Sequence, residues 1–295
     1  MTLHPQAQAF VDSIRENPPK SWSEMTPEEG RAIYLSFREF VGPSPDIAHV
    51  HDAKIGGVEC RVYDPKGPDR RPIAYFHGGG WVLGCIDTHD ALCRNLATGS
   101  GRPLVSVNYR RAPEHRYPAA LDDCFAVCEA ICSDTSIAAF ATPIQAGCVT
   151  VVGDSAGGNL AAAVAIKGLE SEALSIDQQI LIYPVIDADT DTDSYQAFAD
   201  GYGLTAAAMR WFWQQYLGEQ SPTPLASPAH CQNLERLPAA LIVTAEYDVL
   251  RDEAEIYARR LSDSGVAVDL VRYPGMLHAF VHLAGLFDEG KRATA

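Results

Sequence analysis

The sequence predicts an α/β protein in which a mostly parallel sheet is covered by helices on both faces. From about residue 47 onward, short runs rich in β-branched residues alternate with helix-like segments. Such alternation is typical of parallel sheets whose connections are helices. The 295 residues are 47% hydrophobic, which is enough for a large core.

The individual elements follow from apolar periodicity and from the glycines and prolines between them. Strands are predicted at VECRVYDP, RPIAYF, PLVSVNYR, VTVVG, QILIYP, AALIVTA and VAVDLVRYPG. Helices are predicted at LDDCFAVCEAICS, NLAAAVAIKGL, RDEAEIYARRLSDSG and AFVHLAGLF.

Two segments interrupt this alternation. Residues 1–45 look helical, and PPKSWSEMTPEEG offers a capping residue with acidic first-turn positions. Residues 185–235 contain an acidic loop followed by the aromatic-rich AAAMRWFWQQYLG. We expect these two segments to form a lid over an α/β domain made of residues 46–184 and 236–295.

Charge and hydropathy exclude two classes of partner. The 23 basic and 38 acidic residues give a formal net charge of -15, which opposes binding to nucleic acid or to an anionic membrane. The N-terminal sequence has no signal-peptide pattern, and no apolar stretch approaches the roughly 18 residues of a spanning helix. A cytoplasmic protein is therefore expected, with no nucleic-acid and no membrane partner.

No metal and no cofactor is expected. Cys124, Cys128 and Cys132 share one helical face, but no fourth ligand completes a tetrahedral site. We interpret the eight cysteines as reduced and mostly buried. The loop at 187–193 alternates aspartates as a calcium loop does, yet neither register supplies the required glycine and glutamate.

Ser155 lies at an abrupt break between a predicted strand and a predicted helix, in the pentapeptide GDSAG. A G-x-S-x-G sequence in this context predicts a sharp turn that exposes a nucleophilic hydroxyl. The alternative is a glycine-rich turn that packs helix on strand, with the serine as an N-cap.

A serine nucleophile needs a base and an acid that orients the base. His278 and Asp248 each follow a predicted strand, so they lie at the same sheet edge as Ser155. Asp252 competes as the acid, but its place suits the first turn of a helix. His282 competes as the base, but it falls inside the predicted helix AFVHLAGLF.

The hydrolysis of an acyl group also needs donors for an oxyanion. The HGGGW sequence ends a predicted strand with three glycines, Gly78 to Gly80, whose amides can approach a substrate oxygen closely. The N–H of Ala156 is a further candidate donor. Sequence chemistry does not choose among the three glycines, and it favours a structural role for His77.

These motifs resemble the bacterial hormone-sensitive-lipase-like (family IV) esterases of the α/β-hydrolase fold. The matching stretches are HGGGW at 77–81, YRRAPEHRYPAALDD at 109–123, GDSAGGNLA at 153–161, DVLRDE from Asp248, and HAF from His278. The resemblance implies the α/β-hydrolase fold, with a central, mostly parallel sheet and a two-part helical cap. The sequence departs from the family at Val249, where a proline is common.

The resemblance also implies roles for single residues. It implies a catalytic triad and three oxyanion donors, with a set of ion pairs beneath them. The triad is Ser155, Asp248 and His278, the donors are Gly79, Gly80 and Ala156, and the ion pairs involve Arg110, Glu114 and Asp123.

We therefore expect a carboxylesterase for small-molecule esters of short to medium chain length. Five apolar residues are candidates to line the acyl or alcohol pocket, although each also suits the core of the cap: Trp81, Met209, Trp211, Phe212 and Trp213. An amidase or peptidase with the same triad is an alternative, as is a non-catalytic small-molecule receptor on the same fold. A homodimer through an edge strand is compatible with the sequence.

Overall fold

A central sheet of eight strands organises the chain in the computed structural model, which describes residues 2–134, 137–145 and 147–294. The strands are β1 His49–Ile55, β2 Val58–Asp64, β3 Ile73–Phe76, β4 Leu104–Val107, β5 Val149–Asp154, β6 Ile176–Ile182, β7 Ala239–Tyr247 and β8 Val268–Leu277. The helices are α1 Pro5–Glu16, α2 Pro27–Ser36, α3 Ile86–Ser100, α4 Ala119–Ser133, α5 Ala156–Gly168, α6 Asp193–Ala197, α7 Ala206–Leu217, α8 Arg251–Asp263 and α9 Asp288–Ala293.

The spatial strand order is β1-β2-β4-β3-β5-β6-β7-β8. β2 runs antiparallel to both of its neighbours, β1 and β4, and the pairs from β4 to β8 are parallel. The central strands β3, β4 and β5 are buried along their whole length. This mostly parallel sheet with flanking helices confirms the predicted fold class.

The carboxyl ends of the parallel strands meet at one edge of the sheet. There β3 leads into the HGGG sequence, β5 into Ser155, β7 into Asp248 and β8 into His278. Because neighbouring parallel strands end side by side, residues far apart in sequence become neighbours at this edge.

The structure contains elements that the sequence-based assignment missed, among them β1, α3 and α9, and it lacks one predicted helix. The strand β1, which was not predicted, precedes β2 and pairs with it as a hairpin. The helix predicted at AFVHLAGLF is wrong, since residues 278–286 form successive turns. Ala279 takes a positive φ of 66°, which a right-handed helix does not allow, and the N–H of Gly285 bonds to Phe40 O at 2.9 Å.

The N-terminal segment packs on the rest of the molecule through two helices. Thr26 caps α2 in a capping box, in which its hydroxyl accepts from Glu29 N and the Glu29 carboxylate accepts from Thr26 N. α1 contacts β8, and the short 3-10 helix Trp22–Glu24 contacts α7 of the 185–235 insertion. The two segments predicted to form a lid are therefore in contact.

β8 is an edge strand of the sheet, and its Leu270 and Val271 are exposed. The homodimer through an edge strand remains a prediction. None of the helices in the described ranges combines the length and apolar character needed to cross a lipid bilayer.

Candidate active site

Ser155 occupies a strained turn between β5 and α5. Its φ of 54° and ψ of -119° lie in a region that residues other than glycine rarely adopt. The turn is held by Ser155 N–H donating to Ile182 O at 2.9 Å, and by Val185 N–H donating to Ser155 O at 3.2 Å. The strain is therefore supported by bonds to the segment that follows β6.

The glycines on either side of Ser155 are required by close backbone contacts. A Cβ atom on Gly153 would collide with the carbonyl of Gly157, and one on Gly157 would collide with the carbonyl of Phe76. Each glycine thus lets two backbone segments approach more closely than any side chain permits.

Ser155, His278 and Asp248 form a continuous hydrogen-bonded relay. Ser155 Oγ lies 3.0 Å from His278 Nε2, and His278 Nδ1 lies 2.7 Å from Asp248 Oδ2. A carboxylate can only accept, so Nδ1 carries the proton and Nε2 is free to accept the serine proton. The second oxygen of Asp248 accepts from Leu250 N–H at 3.0 Å, which fixes the carboxylate.

The relay is largely shielded from solvent. The side chain of His278 is 10% exposed and that of Asp248 is 1% exposed. Because water is mostly excluded, the bond between them acts at low dielectric and holds the imidazole in one orientation. Ser155 is 8% exposed.

The two competing candidates lie elsewhere. Asp252 is in the first turn of α8, where its carboxylate accepts from Ser194 N at 2.8 Å and from Arg251 Nε at 2.8 Å. His282 stacks on His89 with ring centroids 4.2 Å apart. Burial lowers the pKa of His282 to about 3, so this imidazole is neutral near pH 7.

The HGGG sequence forms a tight loop beside Ser155. Gly78 N–H donates to Asp154 Oδ1 at 2.9 Å, whereas the amides of Gly79 and Gly80 have no acceptor within the described ranges. Both residues have positive φ values, 106° and 60°. The N–H of Ala156, the first residue of α5, also has no acceptor within the helix.

His77 supports this loop from a fully buried position. Its Nδ1 lies 2.8 Å from Gly78 O, and its ring stacks on Tyr109 with centroids 4.2 Å apart. Burial lowers the pKa of His77 to about 3. The neutral ring therefore holds backbone and does not exchange protons near pH 7.

The three residues of YRRAPEHRYPAALDD that were expected to form ion pairs belong to two separate pairs. Arg110 binds Asp123 with an N–O distance of 2.8 Å. Glu114 instead pairs at 2.7 Å with Arg31 of α2, which sequence reasoning missed. Arg31 also donates to Val82 O at 2.8 Å, so it links the N-terminal segment to the end of the HGGGW loop.

The predicted pocket residues lie at different depths. Trp81 is fully buried and stacks on Tyr216 at 4.3 Å, with Trp213 at 4.6 Å, so these rings are part of the packing between the insertion and the sheet. Phe212 lies against Gly80, where a Cβ atom would collide with its ring. Met209 is buried on the same helix α7, and Trp211 is partly exposed beside Phe212.

The loop that carries Asp248 is tied to the start of the insertion. Ser194 Oγ donates to Val249 O at 2.6 Å. Glu253 Oε1 accepts from Ile186 N at 2.6 Å and from Asp187 N at 3.2 Å, and burial raises the pKa of Glu253 well above its usual range. The sequence signal for Glu253 was its first-turn position, which also suits an ordinary helix-dipole partner.

No cluster of three or more potential ligands arranged for a metal occurs in the part of the chain that the structure describes. All eight cysteines are free thiols, and Cys124, Cys128 and Cys132 are buried. In the acidic loop, Asp187 binds the Ser227 hydroxyl at 2.8 Å.

Three kinds of comparison place this chain among known proteins. The sequence profile of the family described as alpha/beta hydrolase fold matches residues 73–282. The ethyl acetate hydrolase of Pseudomonas putida is 37% identical over 239 residues, covering 79% of this chain and 74% of that protein. The carboxylesterase NlhH of Mycobacterium tuberculosis is 35% identical over 244 residues, covering 80% and 75%.

Solved structures agree with the sequence relatives. A thermostable esterase from Pseudomonas putida superposes with a TM-score of 0.89 at 34% identity, covering 99% of this chain and 94% of that one. A hyperthermophilic esterase from the archaeon Pyrobaculum calidifontis has a TM-score of 0.87 at 36% identity, covering 100% and 96%. Together with the motifs, these matches confirm the resemblance to the hormone-sensitive-lipase-like esterases, and the chain belongs to the alpha/beta hydrolase fold family.

Proposed function

We propose that this protein is a carboxylesterase that hydrolyses short- to medium-chain esters through an acyl-enzyme on Ser155. The observation that carries the proposal is the relay from Ser155 through His278 to Asp248, with contacts of 3.0 and 2.7 Å. Relatives named as ester hydrolases support it.

In the acylation step, Ser155 Oγ attacks the carbonyl carbon of the ester while its proton moves to His278 Nε2. Asp248 accepts the Nδ1–H bond and stabilises the imidazolium that forms. The tetrahedral intermediate collapses, the C–O bond to the alcohol breaks, and His278 Nε2 returns the proton to the leaving alkoxide.

The negative charge of the tetrahedral intermediate needs donors that are already in place. The amides of Gly79, Gly80 and Ala156 are the candidates, because none is used by the protein backbone in the described ranges. Loss of one such donor typically costs about 3–4 kcal/mol of transition-state stabilisation.

Deacylation uses the same groups. His278 Nε2 takes a proton from water, the hydroxide oxygen adds to the acyl carbon, and collapse releases the carboxylic acid as Ser155 recovers its proton. The chemistry needs no redox step.

Packing around Gly80 supports a preference for small esters. The ring of Phe212 lies directly against this residue, so the space next to the oxyanion loop is bounded by the insertion. A relative named an ethyl acetate hydrolase also supports a short ester. The partly exposed Trp211 extends the apolar wall that would contact the acyl or alcohol group.

A substrate series tests the proposal directly. Wild type is expected to hydrolyse p-nitrophenyl acetate and butyrate, with activity collapsing beyond about eight acyl carbons, and Ser155→Ala is expected to abolish turnover without unfolding. A phosphonate probe should add its mass to Ser155 alone. Turnover of matched anilides in preference to esters would instead favour an amidase, and retained activity in Ser155→Ala would reassign the nucleophile.

The cytoplasm as the site of action and a small-molecule ester as the partner remain predictions from the sequence.

A further inference from the structure

Asp154 is a buried carboxylate that the proposed mechanism does not use. It ends β5, is 2% exposed, and its Oδ1 accepts from Gly78 N–H at 2.9 Å and from the Tyr75 hydroxyl at 2.5 Å. We propose that Asp154 is a positioning residue of the oxyanion site, which fixes Gly78 so that the amides of Gly79 and Gly80 face the substrate oxygen. The inference rests on the proposed function.

Gly78 is held at both of its backbone polar groups. Asp154 binds its N–H, and Nδ1 of His77 lies 2.8 Å from its carbonyl oxygen. The next peptide is trans, so its C=O and N–H point in opposite directions. The N–H of Gly79 therefore points away from His77, in a direction set by the two bonds to Gly78.

Two close contacts limit the space around the HGGG loop. A Cβ atom on Gly78 would collide with Asp154 Oδ2, and a Cβ atom on Gly79 would collide with the backbone nitrogen of Gly84. The loop is thus confined between the carboxylate and the residues that lead into α3. Because the amide of Gly78 is already used, the next two glycines are the ones free to bind a ligand.

The carboxylate of Asp154 lies beside an imidazole and a hydroxyl. Asp154 has no arginine or lysine within 4 Å in the described ranges, and Nε2 of His89 lies 3.4 Å from its Oδ2. Burial alone would raise the pKa of Asp154, but His89 and the Tyr75 hydroxyl hold that pKa well below its usual range. The acceptor of the Gly78 amide is therefore an ionised carboxylate, and such bonds are roughly twice as strong as neutral ones.

The inference predicts different effects for two substitutions. Asp154→Ala removes the acceptor, so the oxyanion loop loses its support and kcat for p-nitrophenyl acetate should fall about 100-fold, with KM changed less than about 3-fold. Asp154→Asn keeps an oxygen that accepts from Gly78, so kcat should stay within about 10-fold of wild type.

Asp64 provides a matched control for loss of a buried carboxylate. It is fully buried at the end of β2 and accepts from two backbone amides, Lys66 at 2.9 Å and Ala141 at 3.0 Å. Since β2 runs antiparallel to its neighbours, Asp64 lies at the sheet edge opposite Ser155. Asp64→Ala should lower stability but leave kcat per folded molecule within about 2-fold of wild type.

The experiment measures kcat, KM and the inhibition constant of a trifluoromethyl ketone, whose adduct with Ser155 places a negative oxygen at the oxyanion site. In Asp154→Ala the inhibition constant should rise by the same factor as kcat/KM falls, because both report binding of that oxygen. A loss of kcat without weaker inhibition, or kinetics like those of Asp64→Ala, would overturn the inference.

Hydrogen exchange in the peptide that covers residues 77–84 separates this inference from the proposed function. Exchange there should be faster in Asp154→Ala but not in Asp154→Asn or Asp64→Ala. If wild type hydrolyses esters and this peptide is unchanged in Asp154→Ala, the inference fails and the function stands. If wild type hydrolyses no ester, the proposed function fails, and the exchange result alone decides whether Asp154 fixes the loop.

Discussion

Replacing His282 with phenylalanine should make the protein less sensitive to unfolding in mild acid. The imidazole is buried between His89, at a centroid distance of 4.2 Å, and Tyr34, at 5.9 Å with nearly parallel rings. Neither of its ring nitrogens has a hydrogen-bond partner among the described residues. A phenyl ring keeps the stacking and loses no hydrogen bond, and the backbone N–H of residue 282 can still donate to Tyr183.

The size of the effect follows from proton linkage. Burial, and secondarily the neighbouring His89, lowers the pKa of His282 to about 3, whereas Asp154 acts in the opposite direction. In the unfolded chain a histidine has a pKa of about 6.5. Between these values the unfolded state binds a proton that the folded state does not, so the free energy of unfolding falls as pH falls. From pH 8 to pH 5, this one group removes about 2 kcal/mol.

Urea unfolding at pH 8, 6 and 5 measures the effect in wild type and His282→Phe. The two proteins should differ little in the slope with denaturant, and the variant should gain about 2 kcal/mol relative to wild type between pH 8 and pH 5. Other titrating groups, such as the buried Glu253, are common to both proteins and cancel in the difference. The same measurements on His115→Phe, which removes an exposed imidazole, provide the matched control. Parallel pH profiles for wild type and His282→Phe would refute the reasoning.

Three further substitutions test other contacts. Asp248→Asn should lower kcat on the order of 10⁴-fold in a p-nitrophenyl acetate assay with intact folding, because the amide favours the wrong imidazole tautomer; a loss below 10-fold would argue against the relay. Gly80→Ala should lower the free energy of unfolding by at least about 1–2 kcal/mol, because residue 80 has a positive φ. The same substitution should reduce kcat/KM, because the new methyl group collides with Phe212. Adding Phe212→Ala should restore part of the activity but not the stability. Arg31→Ala should lower the free energy of unfolding by about 1–3 kcal/mol and speed hydrogen exchange in α2, since three acceptors lose their donor; unchanged exchange in α2 would contradict that role.

The local parts of the fold were predictable because the backbone geometry of a turn depends on one or two residues within it. The turn at Ser155 needs glycines at 153 and 157 whatever surrounds it, so the strand, turn and helix could be read from a short stretch. The edge shared by Ser155, Asp248 and His278 was predictable for a similar reason, since each follows a strand and parallel strands end together.

The parts that depend on distant contacts were not predictable. Glu114 pairs with Arg31, which is 83 residues away, and nothing in either local sequence indicates the partner. The use of the Gly78 amide by Asp154 joins residues 76 apart. The turns at 278–286 look helical in their apolar pattern, and only the positive φ of Ala279 and the contact of Gly285 with Phe40 exclude the helix.

Two bonds join the start of the insertion to the region around Asp248: Ser194 binds Val249, and Ile186 binds Glu253. The insertion therefore has two parts that should tolerate substitution to different degrees. The beginning of the insertion is bonded to the loop that presents Asp248, whereas α7 packs on the HGGGW loop, where the ring of Tyr216 stacks on Trp81. Exchange of α7 for a helix with other side chains should therefore alter which molecules fit while the loop around Asp248 keeps its geometry. Substrate selectivity could thus be engineered in α7, provided that the bonds of Ser194 and Ile186 are kept.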